Sequence, residues 1–200
     1  MGIVHADIGV TLDGYSSGLN QRLEKPFGDF PVEHLHTWMF EHGEDNAAEV
    51  AAIVDAGAFV MGRNMFSPTR GEHDPEWKGW WGDDPPYHGP VFVVTHHERD
   101  PIPMEGGTTF HFVTDGVESA MAQAKAAAGD RNVSVTGGAD TLNQCLTLGL
   151  VDELRLHVVP YTAGDQGTRL FAGVPQIGFE ATSVRHTPHV THLTYRRREL

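Results

Sequence analysis

A single cysteine, few basic residues and no long apolar run are the first facts about this chain, and each closes off a class of protein. One cysteine among 200 residues cannot form an intrachain disulfide, which removes the small disulfide-stapled scaffolds. Cys145 sits within an apolar helical pattern and is expected to be a small buried hydrophobe in a reducing compartment. Lys and Arg total 14 against 27 Asp and Glu, for a formal charge of −13, so the surface repels polyanions. Nucleic acid and acidic membranes are excluded as partners on that ground, and any phosphate site has to be local. The basic residues that exist are grouped: Arg196, Arg197 and Arg198 near the C-terminus, and Arg63, Arg70 and Arg99 near loops. No apolar stretch approaches the roughly 20 residues of a membrane span, and the first residues run straight into a strand pattern with an early Asp7. A cytoplasmic location is the expectation. There is no internal repeat, no low-complexity tail and no G-x-S-x-G nucleophile motif.

What is present is an alternation of short β-branched runs with helical patterns across a length that suits one domain, the signature of βαβ units and a mainly parallel, covered sheet. Strands are expected at Ile3 to Val10, Ala58 to Met61, Val91 to Thr95, within Gly106 to Val113, at Val133 to Thr136 and at Leu154 to Pro160. Helices are expected at Val32 to Phe40, around Val50 to Val54, at Glu118 to Ala128 and around Leu142 to Leu146. A terminal antiparallel pair, Phe179 to Arg185 and Val190 to Arg197, turns near Pro188. Ser67 to Pro90 has no period and is rich in Gly, Pro, Asp and Trp, which marks a functional or mobile loop.

Three strand ends share one design: Val60-Met61-Gly62-Arg63, Val93-Val94-Thr95-His96 and Val135-Thr136-Gly137-Gly138-Ala139. Ligands of open α/β sheets sit outside the carboxyl ends of strands, so these ends are expected to line one crevice. Gly137 and Gly138 let backbone amides approach a pyrophosphate, with the helix from Ala139 directing its dipole at that charge; the alternative is a plain tight turn. Arg63 reads as a phosphate-binding guanidinium or a surface cation. Thr95 and His96, followed by His97 and Arg99, stand where the 2′-phosphate of an adenosine ribose would be read, which suggests NADPH over NADH. Asp13, in Leu12-Asp13-Gly14-Tyr15, reads as a turn former that bonds its own backbone. The 13 histidines form no recognisable metal set. His34 and His36 cannot share a helix face, and His186, His189 and His192 straddle a hairpin.

Four blocks in order resemble the dihydrofolate reductase-like superfamily, in the branch similar to the C-terminal reductase domain of bifunctional riboflavin-biosynthesis deaminase/reductase proteins. They are Thr11-Leu12-Asp13-Gly14-Tyr15, Val60 to Phe66, Val135 to Leu142, and Gly149 to Leu154 leading to Val158-Val159-Pro160 and Leu170-Phe171. The resemblance implies a central, mostly parallel mixed sheet flanked by helices, with an antiparallel C-terminal strand. It also implies NADPH on Gly62, Arg63, Gly137, Gly138 and Ala139, with Thr95 and His96 beside the adenosine ribose and Asp13 facing the nicotinamide and substrate region. The sequence departs from its relatives in two ways. Pro31-Val32-Glu33 only loosely echoes the first-helix carboxylate of a true dihydrofolate reductase, and the H-x-E and P-C-x-x-C of the zinc deaminase are missing.

The expected function is hydride transfer from NADPH to a small heterocycle, a ribosylaminopyrimidine such as 5-amino-6-(5-phosphoribosylamino)uracil or a pterin-like ring. Asp13 or Glu33 is expected to donate any proton, and Trp38 and Phe66, with Trp80 and Trp81, to offer stacking surfaces if they are not core. The family's habit of pairing subunits implies a homodimer. Two other readings stand beside this one: a dinucleotide-binding regulatory module without turnover, and a histidine-based metal enzyme.

Overall fold

Strand β1, Val4–Val10, sets the frame because its residues alternate in kind. Val4, Ala6, Ile8 and Val10 pack into an apolar cluster on one face, while His5, Asp7 and Gly9 point to the other. In the computed structural model, which describes residues 2–29, 33–67, 69, 71–72, 74–164 and 167–199 and Glu33 by backbone alone, β1 lies inside a nine-stranded sheet. With β3 Ala58–Gly62, β4 Pro90–Val94, β5 Ile102–Pro103, β6 Thr109–Val113, β7 Val133–Gly137, β8 Glu153–Val158, β10 Gly178–Thr187 and β11 Val190–Arg198, its order is β10-β11-β8-β1-β7-β3-β4-β6-β5. The inner strands from β8 to β6 are parallel, whereas β11 and β10 on one side and β5 on the other run antiparallel.

One face is covered by α4 Val117–Ala128 and α5 Ala139–Thr147. Val117, Ala120, Met121, Ala124 and Ala128 recur at helical spacing and are buried, so α4 presents an apolar stripe to the β1 cluster. The other face carries α1 Glu33–Phe40 and α2 Ala47–Val54. There Leu35 and Trp38 pack with Val159 and Val190. Beyond them the short α3, Arg63–Phe66, and the following loop close a second cluster around Phe59, Met61, Val91, Val93 and Phe110. The described part of the 67–89 segment contains no helix or strand, and its aromatics give it order: Trp81 stacks on Phe110 and meets Tyr87 edge-on.

The expected helices and strands are present within a few residues. The predicted start of the first helix at Val32 lies outside the described residues, and the helix is seen from Glu33. Three short strands were not expected. Tyr15–Gly18 (β2) and Gly167–Arg169 (β9) pair in a separate two-stranded sheet, and the two residues of β5 add an edge to β6. Such short pieces carry no period of their own; a contact 150 residues apart, described below, brings β2 and β9 together.

Candidate dinucleotide crevice and an adjoining polar core

The three strand ends singled out above lie level with one another. The pairings Gly62↔Val94 and Met61↔Gly137 align β3 with both neighbours. A Cβ on Gly62 would sit 2.3 Å from Thr141 Oγ1 and 3.6 Å from the Gly138 nitrogen, so glycine there lets the end of β3 pack against the start of α5. Gly137 has φ +121°, a conformation L-residues rarely adopt, and its peptide bond to Gly138 is cis. Gly138 differs: its φ is −75°, and a Cβ on it would meet nothing within 4 Å. Nothing among the described residues therefore requires glycine at 138. Its exposed backbone, at the N-cap of α5, offers room for a close ligand approach.

Arg63 and Arg99 stand beside this crevice without a carboxylate in ion-pair distance among the described residues. Arg63 donates to the carbonyls of Gly71 (2.7 Å), Thr69 (3.1 Å) and Glu72 (3.4 Å), and so clamps its own loop. Arg99 donates to the Pro75 carbonyl at 2.7 Å and lies over the Phe112 and Phe66 rings at 5.4 and 6.0 Å. Each keeps one buried donor without a partner among the described residues, Arg63 Nε and Arg99 Nη1. Burial lowers the pKa of both; the Arg99 charge lowers that of Arg63 further, while the Asp74 and Glu76 carboxylates act in the opposite direction on Arg99. Two neighbouring cations with orphaned donors could hold an anion. Thr95 is buried and its hydroxyl accepts from the His97 amide at 3.2 Å, while His96 is exposed. Ala139, the first residue of α5, buries its methyl and contributes backbone alone.

The other expected site residues are placed differently. Asp13 accepts from the amides of Ala163 (2.9 and 3.0 Å) and Gly164 (2.9 Å) and from the Thr11 hydroxyl. Partial burial pushes its pKa up, but these bonds outweigh that and hold it below the usual carboxylate range. Asp13 is a latch that ties the loop after β1 to the loop after β8 and brings β2 to β9; the bonds favour its ionised form and speak against proton donation. Trp38 is 1% exposed, with its indole N–H on the Leu35 carbonyl, and Phe66 is fully buried between Phe110 and Phe112. Both are core, so neither offers a ring to substrate. Trp77 and Trp80 pack edge to face within the loop. Glu33 opens α1, and its side chain lies outside what is described.

Sequence reasoning missed a polar core beneath α1. His5 Nδ1 lies 2.9 Å from Asp7 Oδ2, and His157 Nε2 lies 3.4 Å from Asp7 Oδ1. His157 Nδ1 meets His192 Nδ1 at 2.8 Å, and His192 Nε2 meets Asn46 Oδ1 at 3.0 Å. Asp7, His157 and His192 are 5, 3 and 6% exposed, so every polar atom here needs a partner. The signal was legible: in VHADIGV, ELRLHV and VTHLTYRRR the period of two puts His5 with Asp7, Arg155 with His157, and His192 with Thr194 on one face.

Comparison with known proteins agrees with this architecture. No curated protein matches the chain. A protein of Shewanella sp. PV-4 assigned to riboflavin biosynthesis is 21% identical, with TM-score 0.65 over 98% of this chain and 99% of that one. The Thermotoga maritima diaminohydroxyphosphoribosylaminopyrimidine deaminase/5-amino-6-(5-phosphoribosylamino)uracil reductase is 16% identical, with TM-score 0.57 over 98% of this chain and 57% of the other. Enterococcus faecalis dihydrofolate reductase, complexed with NADP(H), is 15% identical, with TM-score 0.54 over 98–99% of both. These likenesses give the dihydrofolate reductase-like fold. The model of the RibD C-terminal domain matches residues 3–193; the chain belongs to that family, which points to an oxidoreductase.

Proposed function

We propose that this protein is an NADPH-dependent reductase acting on a ribosylaminopyrimidine of the 5-amino-6-(5-phosphoribosylamino)uracil type. The observation that carries the reading is the Arg63 and Arg99 pair, two adjacent guanidiniums with an orphaned buried donor each. The residues fit the dinucleotide on two independent counts. The space over Gly138 admits a pyrophosphate at the start of α5, and the arginine pair suits the 2′-phosphate that separates NADPH from NADH. The reduced nicotinamide supplies the hydride when bound. The chain's own residues bind and orient: Gly62, Gly137, Gly138 and Ala139 present backbone, Arg63 and Arg99 present charge, and Thr95 with His96 borders the ribose.

Arg99→Met tests the assignment, because the methionine stem keeps contact with Phe66 and Phe112 while removing the cation. A lost charge-assisted hydrogen bond is worth about 1.5–3 kcal/mol, so NADPH affinity should fall roughly ten- to a hundredfold, with NADH affinity unchanged. Equal losses for both cofactors would place Arg99 outside the 2′-phosphate site. Oxidation of NADPH at 340 nm with the pyrimidine would separate the reductase from a binding module without turnover.

A further inference from the structure

We propose that Asp7 and His157 share one proton in the interior and deliver it to the substrate during reduction; the catalytic half of this inference rests on the reductase reading above.

Donor counting locates the proton. Asn46 spends both amide hydrogens on the carbonyls of Trp38 (2.9 Å) and His42 (2.8 Å), so its Oδ1 faces His192 as an acceptor. His192 therefore carries its hydrogen on Nε2. Burial keeps His192 neutral, so its Nδ1 is bare and the 2.8 Å contact requires His157 to donate from its own Nδ1. That leaves His157 Nε2 opposite Asp7 Oδ1, and neither atom has another hydrogen-bond partner among the described residues. Two bare acceptors facing each other in the core would be costly. One proton between them satisfies both, as an imidazolium against a carboxylate.

The charges around the pair are consistent with that assignment. From β1, His5 bonds the second oxygen of Asp7, and from β8 Arg155 stands 3.7 Å from Asp7. From α1, the partly buried His36 is held neutral, its pKa lowered to about 4 by burial and by the His157 charge. His192 is lowered to about 4 by the same two causes. At the outer end, Arg185 of β10 bonds Asn46 Oδ1 at 3.2 Å and pairs with Glu49 of α2 near the surface, where the chain of groups meets solvent.

The pair also lies beside the crevice. The ladder between β1 and β7 stops at Ala6↔Val135 although both strands continue, β1 to Val10 and β7 to Gly137. Asp7 is the first residue of β1 past that fork, level with Thr136 and one residue short of Gly137. Gly9, paired with His157, lets α1 pack closely over β1 here, since a Cβ there would sit 3.3 Å from the Leu35 carbonyl. With the dinucleotide bound, the substrate's glycosylamine would first open to its imine, the C1′–O4′ bond breaking as the N–H proton passes to O4′. The hydride would then add to C1′ and the π electrons move to nitrogen, which would take the proton from His157 Nε2. His157 would regain its proton from solvent once the product leaves.

Two measurements decide the matter. In long-range 1H–15N spectra of the histidine-labelled protein at pH 7, His157 should show both ring nitrogens protonated and His192 one Nε2–H tautomer. Asp7→Asn should convert His157 to the neutral form. A neutral His157 in the wild type would overturn the proton site. In single turnovers with NADPH and 5-amino-6-(5-phosphoribosylamino)uracil, His157→Gln and Asp7→Asn should slow hydride transfer about a hundredfold, as loss of a general acid does. Both should flatten its pH profile and leave the NADPH Kd within about twofold of wild type. Wild-type rates and pH dependence in His157→Gln would overturn the catalytic role. Should the wild type turn over none of this pyrimidine, the substrate assignment and the catalytic role fail with it, while the spectra still decide the proton site.

Discussion

Gly138→Ala is the substitution that separates a ligand contact from a structural one. The backbone at 138 is extended, and the added methyl would meet no atom within 4 Å. The fold should therefore accept it with a change in stability of no more than about 0.5 kcal/mol. The methyl would instead occupy the space over the α5 N-cap where a pyrophosphate oxygen approaches the amides. Losing one such charge-assisted contact is worth about 1.5–3 kcal/mol, or roughly a ten- to hundredfold rise in the dinucleotide Kd. Gly62→Ala is the internal control, because its methyl would lie 2.3 Å from Thr141 Oγ1 and should cost about 1–3 kcal/mol of stability by overpacking. Urea denaturation gives the stabilities, and quenching of tryptophan fluorescence gives the affinities. A Gly138→Ala protein that is stable and binds NADPH as tightly as wild type would refute the crevice.

Three further outcomes follow from the same structure. Asp13→Ala removes the latch between residues 13 and 163–164; since the site is half-exposed, about 1–2 kcal/mol is expected, seen as a Tm lowered by roughly 2–8 °C. Stability should fall between pH 6.5 and about 4, because the unfolded chain protonates His36 and His192 near 6.5 while the folded chain resists until about 4; a urea midpoint at pH 5 equal to that at pH 7 would contradict this. Below that range the loss should deepen, as Asp7 and Asp13, whose pKa values are lowered in the fold, take up protons. The Cys145 thiol, buried and pushed up to about 12, should react with a thiol reagent only at the rate of unfolding.

The fold was legible because its long elements keep their periods. The strand-end motifs ending at Gly62, Thr95 and Gly138 were also legible, since glycine marks a backbone need that pattern alone can show. Side-chain roles were not, because they depend on what a remote segment places opposite. Asp13 looks like a catalytic carboxylate until the amides of Ala163 and Gly164 are found on it. Trp38 and Phe66 are aromatic at loop-facing positions, and only the packing of Leu35, Phe110 and Phe112 shows them to be core. Arg99 was noted as a nearby cation, yet its pairing with Arg63 requires the loop fold. The polar core was written in the alternation of β1, β8 and β11, but its meaning emerges only when the register sets Gly9 against His157 and His157 against His192.

The most direct test of the central claim is a titration of the purified protein with NADPH and, in parallel, NADH, followed by tryptophan quenching and energy transfer to the nicotinamide. The account predicts saturable binding of both with NADPH at least about tenfold tighter, the worth of one 2′-phosphate contact to the arginine pair. Equal affinity would contradict the role of Arg63 and Arg99, and no binding of either would remove the reductase assignment while leaving the fold intact.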